Sequence, residues 1–160
     1  FISGDLFKLH KKDYVSFVDR LGDTFKWKGE VVATNEVSDI ISRFGAFEDS
    51  NVYGVTVKNT EGRAGMAALT LLKGVKFDMT AFSKYVAENL PVYARPYFIR
   101  LRKEKDATTS FKQIKSHLQN EGFEPQKIKD PLYFFEPVKE KYIKLTPKIY
   151  SDIQKGVYRF

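Results

Sequence analysis

A lysine in the first turn of a helix is poorly placed for that helix, whose exposed N–H groups favour anions. Lys112 stands in such a place, in TTSFKQIK (108–115), after a polar loop and at the start of a helix-forming run. It is a candidate ligand for a phosphate or carboxylate that arrives from elsewhere, although a lone lysine carries little specificity. In SGDL (3–6), the Asp5 carboxylate can accept two hydrogen bonds from a ribose diol or simply close a turn. On these residues alone the turn is the stronger reading. The stretch DRLGDTFKWKGE (19–30) gathers acids, bases and glycines around the single tryptophan. There Arg20 can serve a phosphate or a diol. Gly22 can take backbone angles closed to other residues, and Gly29 permits close approach of another backbone or a ligand. The plain alternative is a charged turn on an edge strand. LPVYARP (90–96) reads as a rigid helix-to-strand connection fixed by two prolines, with no chemistry required.

The familiar catalytic signatures are missing from the sequence. It has no Walker-type phosphate loop and no His-Glu-x-x-His. His10 falls on an alternating strand and His117 on a basic helix, so neither has metal-ligand company. No nucleophile–histidine–acid signature and no aromatic RNA-recognition motif occur. With no cysteine, disulfides and thiolate zinc sites are excluded. Taken residue by residue, the reading stops at a basic domain with a phosphate-tolerant loop.

The elements that must carry these residues follow from periodicity. LFKLHKK (6–12) and YVSFVD (14–19) alternate apolar with polar residues and predict a hairpin. TFKWK continues as a short extended segment. Thr34 or Asn35 can cap a helix bearing Val37, Ile40, Ile41 and Phe44, which Gly45 stops. VYGVTVK (52–58) and AGMAALTLLK (64–73) are β-rich runs joined by the turn signal NTEGR. A second helix runs from the capping Asp78 to Leu90, with Phe82, Tyr85 and Val86 in its apolar stripe, and Pro91 ends it. YFIRLR (97–102) is a third central strand, and a third helix spans about Lys112 to Glu121 before Gly122. PLYFF (131–135) is an edge strand or a wrap across the core, and Thr146-Pro147 opens a short last helix that stops at Gly156. This order predicts an α+β fold: a central three-stranded sheet with flanking helices, preceded by a short β-hairpin.

A chain of 160 residues with 42% hydrophobic content is the size of one domain and can fill a core, which argues against disorder. No stretch is long and apolar enough for a membrane-spanning helix, and the start has no signal-peptide pattern. Phe1 sits within a strand-like stretch, which predicts an excised or processed segment. The net charge of +7 suits nucleic acid, an anionic membrane surface or a phosphate-bearing small molecule, without choosing among them. The tightest basic group, Arg100, Arg102, Lys103 and Lys105, reads as a solvated face.

In order, these stretches resemble the C-terminal end of the adenylate-forming superfamily of acyl-CoA synthetases, luciferases and peptide-synthetase adenylation domains. Within it the chain looks most like the fatty acid transport protein, or very-long-chain acyl-CoA synthetase, family. SGDL resembles the end of the large N-terminal domain, and DRLGDTFKWKGEVVATNEV the crossover into the small C-terminal domain. EGRAGMAALTL, LPVYARPYFIR, SFKQIK and EGFEPQKIKDPLYFF follow with that family's spacing.

The resemblance implies that residues 1–21 end an N-terminal AMP-binding domain and that 22–160 form a mobile C-terminal ligase domain of the acyl-CoA synthetase-like fold. It implies that Asp5 holds the ribose hydroxyls of ATP or AMP, with Arg20 near the ribose and phosphate. It puts the inter-domain hinge at Gly22, the loop lining the CoA channel at Gly29, and the lysine of the adenylation site at Lys112. The implied activity is that of an AMP-forming long- or very-long-chain fatty acyl-CoA synthetase linked to fatty acid uptake. Its substrates are fatty acid, ATP with Mg2+, and CoA, with no metal site in this stretch. The implied partners are the N-terminal AMP-binding domain and a membrane reached through the remainder of the protein, with no nucleic acid. The implied location is the cytosolic face of the endoplasmic reticulum, peroxisome or plasma membrane. The isolated chain is expected to be inactive, because the phosphate loop and acyl tunnel of the superfamily belong to the N-terminal domain. Gly22 replaces the Asp or Lys of the wider superfamily, Val31 stands where an Asn is usual, and Thr109 and Phe111 replace glycines found before the lysine. The alternatives are a basic α+β binding module for nucleic acid or an anionic membrane surface, and an interaction domain built on the aromatic tail.

Overall fold

The alternating runs at the start form the expected hairpin, in which β1 (Asp5–His10) pairs antiparallel with β2 (Tyr14–Arg20). The structure is a computed structural model that describes residues 5–10, 14–20, 23–103 and 111–160, with side chains for 23–103 and 115–160. The hinge expected at Gly22 lies outside the described residues.

A second hairpin follows that periodicity did not anticipate. β3 (Thr24–Trp27) pairs with β4 (Glu30–Ala33) through a two-residue loop, Lys28-Gly29. Both loop residues have positive φ, 48° and 87°, as the turn that matches strand twist in a two-residue hairpin requires. Along β3 the side chains alternate, with Phe25 and Trp27 buried and Lys26 exposed.

α1 (Thr34–Ser42) buries Thr34, Val37 and Ile41, which share one face at helical spacing. Its cap differs from expectation. The N-cap position is Ala33, with no side-chain cap, and Thr34 is the first helical residue. The capping prediction holds where Asp78 accepts hydrogen bonds from the backbone N–H groups of Thr80 and Ala81 to start α2 (Met79–Asn89). It holds again where Thr146 accepts from Ile149 N–H to start α4 (Pro147–Gln154).

The central sheet is mixed and has five strands, not three. β5 (Phe47–Val55) pairs antiparallel with β6 (Ala64–Leu71), and β7 (Phe98–Arg102) lies parallel to β6. A parallel pair needs a crossover; here α2 and a single 3-10 turn at Val92–Ala94 supply it. β8 (Leu132–Glu136) and β9 (Lys141–Lys144) then add antiparallel to β7, giving the order β5-β6-β7-β8-β9. The ambiguous PLYFF is thus an interior strand. The edge is KYIK, whose two lysines are exposed while Tyr142 is buried.

Successive residues of β8 divide the core. Phe135 and Tyr142 lie on the side of Phe82, which also meets Phe44, Phe47 and Phe77 at ring distances of 5.2–5.7 Å. Phe134 faces the other way, beside Phe98, which stacks on Phe123 at 4.1 Å. Helices α1 and α2 cover the first face; α3 (Phe111–Glu121), the turn after it and α4 cover the second.

The β3–β4 hairpin is stitched to the loop between β5 and β6. Arg63 N–H donates to the Lys26 carbonyl at 2.7 Å, and Trp27 bridges to Gly62. Gly62 has φ of +83°, and a Cβ there would overlap the Lys26 carbonyl oxygen. Gly62→Ala is therefore expected to cost more than about 2 kcal/mol, the left-handed penalty plus the overlap. A lowered urea midpoint with unchanged slope would register it; an unchanged midpoint would show that the loop yields freely.

Candidate functional site

Asp5 and Arg20 are direct partners in the register of the first hairpin, at its open end. The two residues expected at a nucleotide are thus brought together by backbone pairing, two residues in sequence before Gly22. Their side chains lie outside the described set. Gly29 stands at the tip of the second hairpin, where a Cβ would have nothing within 4 Å, so the loop is open on that side. Gly29 carries the positive φ itself, and Lys28 beside it shares it.

The far side of this hairpin is packed tightly. Trp27 is 2% exposed and lies 5.5 Å from Tyr97 and 5.9 Å from Phe160, ring centroid to centroid. Lys28 Nζ donates to the Phe160 carbonyl and sits 5.6 Å from the Trp27 ring. Neither residue type at that spacing signals this arrangement, because Phe160 approaches from the end of the chain.

Lys112 is the second residue of α3, so it does stand in a first helical turn, with its side chain outside the described set. The helix that carries it is fixed at two places. Near its start, Lys115 Nζ donates to Thr34 Oγ1 at 2.9 Å and lies 3.7 Å from Asp23 Oδ1, with only 12% of the lysine side chain exposed. At its end, Glu121 accepts from Arg100 Nη1 at 2.5 Å, while Arg100 Nε donates to Asp130 at 2.7 Å. Burial alone works against the Arg100 charge, but the hydrogen bonds it donates to Glu121 and Asp130 outweigh it and raise its pKa above the ordinary arginine value. Arg100 is therefore a buried clamp and not part of a solvated basic face.

A cavity of about 70 Å3 lies beside Lys115, lined by Asp23, Thr34, Tyr53 and Gln119 among others. It has room for a few water molecules and is far below the roughly 300 Å3 at which small-molecule pockets begin. Tyr53 is 1% exposed, and its hydroxyl has no hydrogen-bond partner among the described residues. Burial raises its pKa well above the usual phenol value, so it is neutral and cannot serve as a base at physiological pH. The cluster of Lys115, Asp23 and Thr34 is what sequence reasoning missed. Thr34 and Asp23 precede the lysine by 81 and 92 residues, and no local pattern links them.

No protein-family model matches the chain. It is 44% identical over 153 residues to long-chain fatty acid transport protein 6 of Mus musculus, covering 96% of this chain and 25% of that protein. The chain spans about a quarter of the length of the curated relatives it matches. Its fold is similar to coronafacic acid ligase from Pectobacterium brasiliense, with a TM-score of 0.63 and 22% identity, over 71% of this chain and 22% of that one. It is also similar to the o-succinylbenzoate CoA synthetase of Bacillus subtilis in complex with its acyl-adenylate intermediate. There the TM-score is 0.58 and the identity 25%, over 64% of this chain and 20% of the other.

Proposed function

Since the chain belongs to the family of the long-chain fatty acid transport proteins, we propose that it is the part of an AMP-forming fatty acid–CoA ligase that turns between two half-reactions. Residues 1–21 would close the N-terminal AMP-binding domain, and 22–160 would be the mobile domain. One observation carries this reading: Asp5 and Arg20 are cross-strand partners at the open end of the first hairpin, which stands just before the expected hinge.

In the first half-reaction a fatty acid carboxylate oxygen attacks the α-phosphorus of ATP. The bond to pyrophosphate breaks, and acyl-AMP forms. Two anions must approach, and the Lys112 ammonium between them offsets their repulsion and stabilises the charge that develops. Asp5 accepts hydrogen bonds from the ribose hydroxyls, and Arg20 lies near the ribose and phosphate. In the second, the CoA sulfur attacks the acyl carbonyl and AMP leaves. That step needs no lysine at the phosphate. Rotation about Gly22 withdraws Lys112 and presents the open Gly29 loop to the pantetheine arm.

Among the described residues no group of three or more histidine or acidic side chains is placed to hold a metal, and Mg2+ enters the proposal only as the companion ion of ATP. No helix among the described residues is long and apolar enough to cross a membrane. Contact with the cytosolic face of a membrane would come through the remainder of the protein. The alternative of a basic binding module loses support, because Arg100 of its tightest group is buried and paired.

The full-length protein is expected to catalyse fatty-acid-dependent exchange between ATP and pyrophosphate, and to form acyl-CoA once CoA is added. Residues 1–160 alone are expected to form none. Exchange that is absent from the full-length protein, or acyl-CoA made by the isolated chain, would overturn the reading.

A further inference from the structure

Lys115 is an expensive residue for stability alone. Only 12% of its side chain is exposed, yet Nζ meets a neutral hydroxyl at 2.9 Å and a carboxylate only at 3.7 Å. A half-buried charge paired so loosely gains little stability from its pairing, and an apolar side chain of similar length would pack as well. What the ammonium does provide is a fixed geometry. It joins α3, one turn beyond Lys112, to Asp23 and to Thr34 at the start of α1. Asp23 directly follows Gly22 in the chain. From the other end, Arg100 holds Glu121.

We infer that Lys115 is a positioning residue for the adenylation step, holding the helix of Lys112 in fixed register with the segment that follows the hinge. This rests on the proposed ligase function. Because Asp23 and Thr34 belong to the segment that would move with the domain, rotation about Gly22 carries Lys112 as part of one rigid unit. Without the tie, the start of α3 loses its link to Thr34 and Asp23, while its far end stays clamped by Arg100. A displacement of about 1 Å at a catalytic group can cost about a hundredfold in rate.

The test uses the full-length protein and measures the half-reactions separately: pyrophosphate release from a long-chain fatty acid with ATP, and acyl-CoA formation from supplied acyl-adenylate. Lys115→Met is expected to slow adenylation by about tenfold to a hundredfold while leaving thioester formation and the KM for ATP within about twofold. Thr34→Val, which removes the closer partner, should slow the same step to a smaller degree. Lys115→Arg should restore most of the rate. The double variant with Lys112→Ala should be no slower than Lys112→Ala alone, because a positioning residue has nothing left to position. Equal loss in both half-reactions together with a lowered melting temperature would mean a structural role only, and an unchanged adenylation rate in Lys115→Met would mean no role; either overturns the inference. If Lys112→Ala itself leaves adenylation intact, the underlying ligase reading fails and takes the inference with it. Loss in Lys112→Ala without loss in Lys115→Met or Thr34→Val sinks the inference alone.

Discussion

Lys112→Ala in the full-length protein is expected to slow acyl-adenylate formation by about 100- to 1000-fold, the range for losing one preorganised donor to a developing oxyanion. The same variant should form acyl-CoA from supplied acyl-adenylate at close to the normal rate. The asymmetry follows from charge. In adenylation a carboxylate meets a phosphate, and removing the ammonium proposed between them leaves more of their repulsion uncompensated. In thioester formation the acyl carbonyl is already activated by its mixed anhydride with AMP, and the nucleophile is sulfur. Rates of pyrophosphate release and of acyl-CoA appearance, measured on one preparation, decide the matter. Equal loss in both would remove Lys112 from the adenylation site, and a normal pyrophosphate rate would remove it from the chemistry altogether.

The second large effect is on folding. Trp27→Ala is expected to cost about 3–5 kcal/mol, as for other buried aromatic residues cut back to alanine. The ring is 2% exposed and packs against both Tyr97 and Phe160 on the inner side of the β3–β4 hairpin. Its removal leaves a void where the hairpin, the sheet and the last residues meet. For a domain of this size that corresponds to a fall in melting temperature of roughly 6–20 °C. Since Trp27 is the only tryptophan, unfolding of both proteins has to be followed by circular dichroism. Trp27→Phe keeps an aromatic ring and should recover more than about half of the loss. A cost below about 1 kcal/mol for alanine would mean that the hairpin is not built into the core.

Local signals were readable where the chain satisfies itself. Asp78 and Thr146 cap their helices because each carboxylate or hydroxyl finds backbone N–H groups two or three residues on. Thr34 looks the same in sequence, yet its hydroxyl is taken by Lys115, and helix α1 starts without a side-chain cap. Only the tertiary fold could settle that. The Lys28-Gly29 turn was hidden because lysine is an unusual occupant of the left-handed region. The fifth strand was hidden for another reason: KYIK is short and half charged, and it is a strand only because β8 offers it a ladder. For the candidate site, the residues themselves suggested only a phosphate- or diol-tolerant set, and the roles expected of Asp5, Arg20, Gly22, Gly29 and Lys112 came from ordered resemblance. Arg100 was misread as surface because a run of basic residues does not disclose which of them faces Glu121 and Asp130.

The edge formed by β9 bears on how such a domain can behave in solution. A strand of four residues offers few free N–H and C=O groups to another chain. Lys141 and Lys144 flank it, both exposed. If two copies met edge to edge in antiparallel register, the lysine of each would be set against a lysine of the other, and like charges directly opposite are unfavourable. This edge of the sheet therefore resists pairing with another copy through its own residues. If the domain moves between two docking positions as proposed, β9 needs no neighbour to cover that edge on the way.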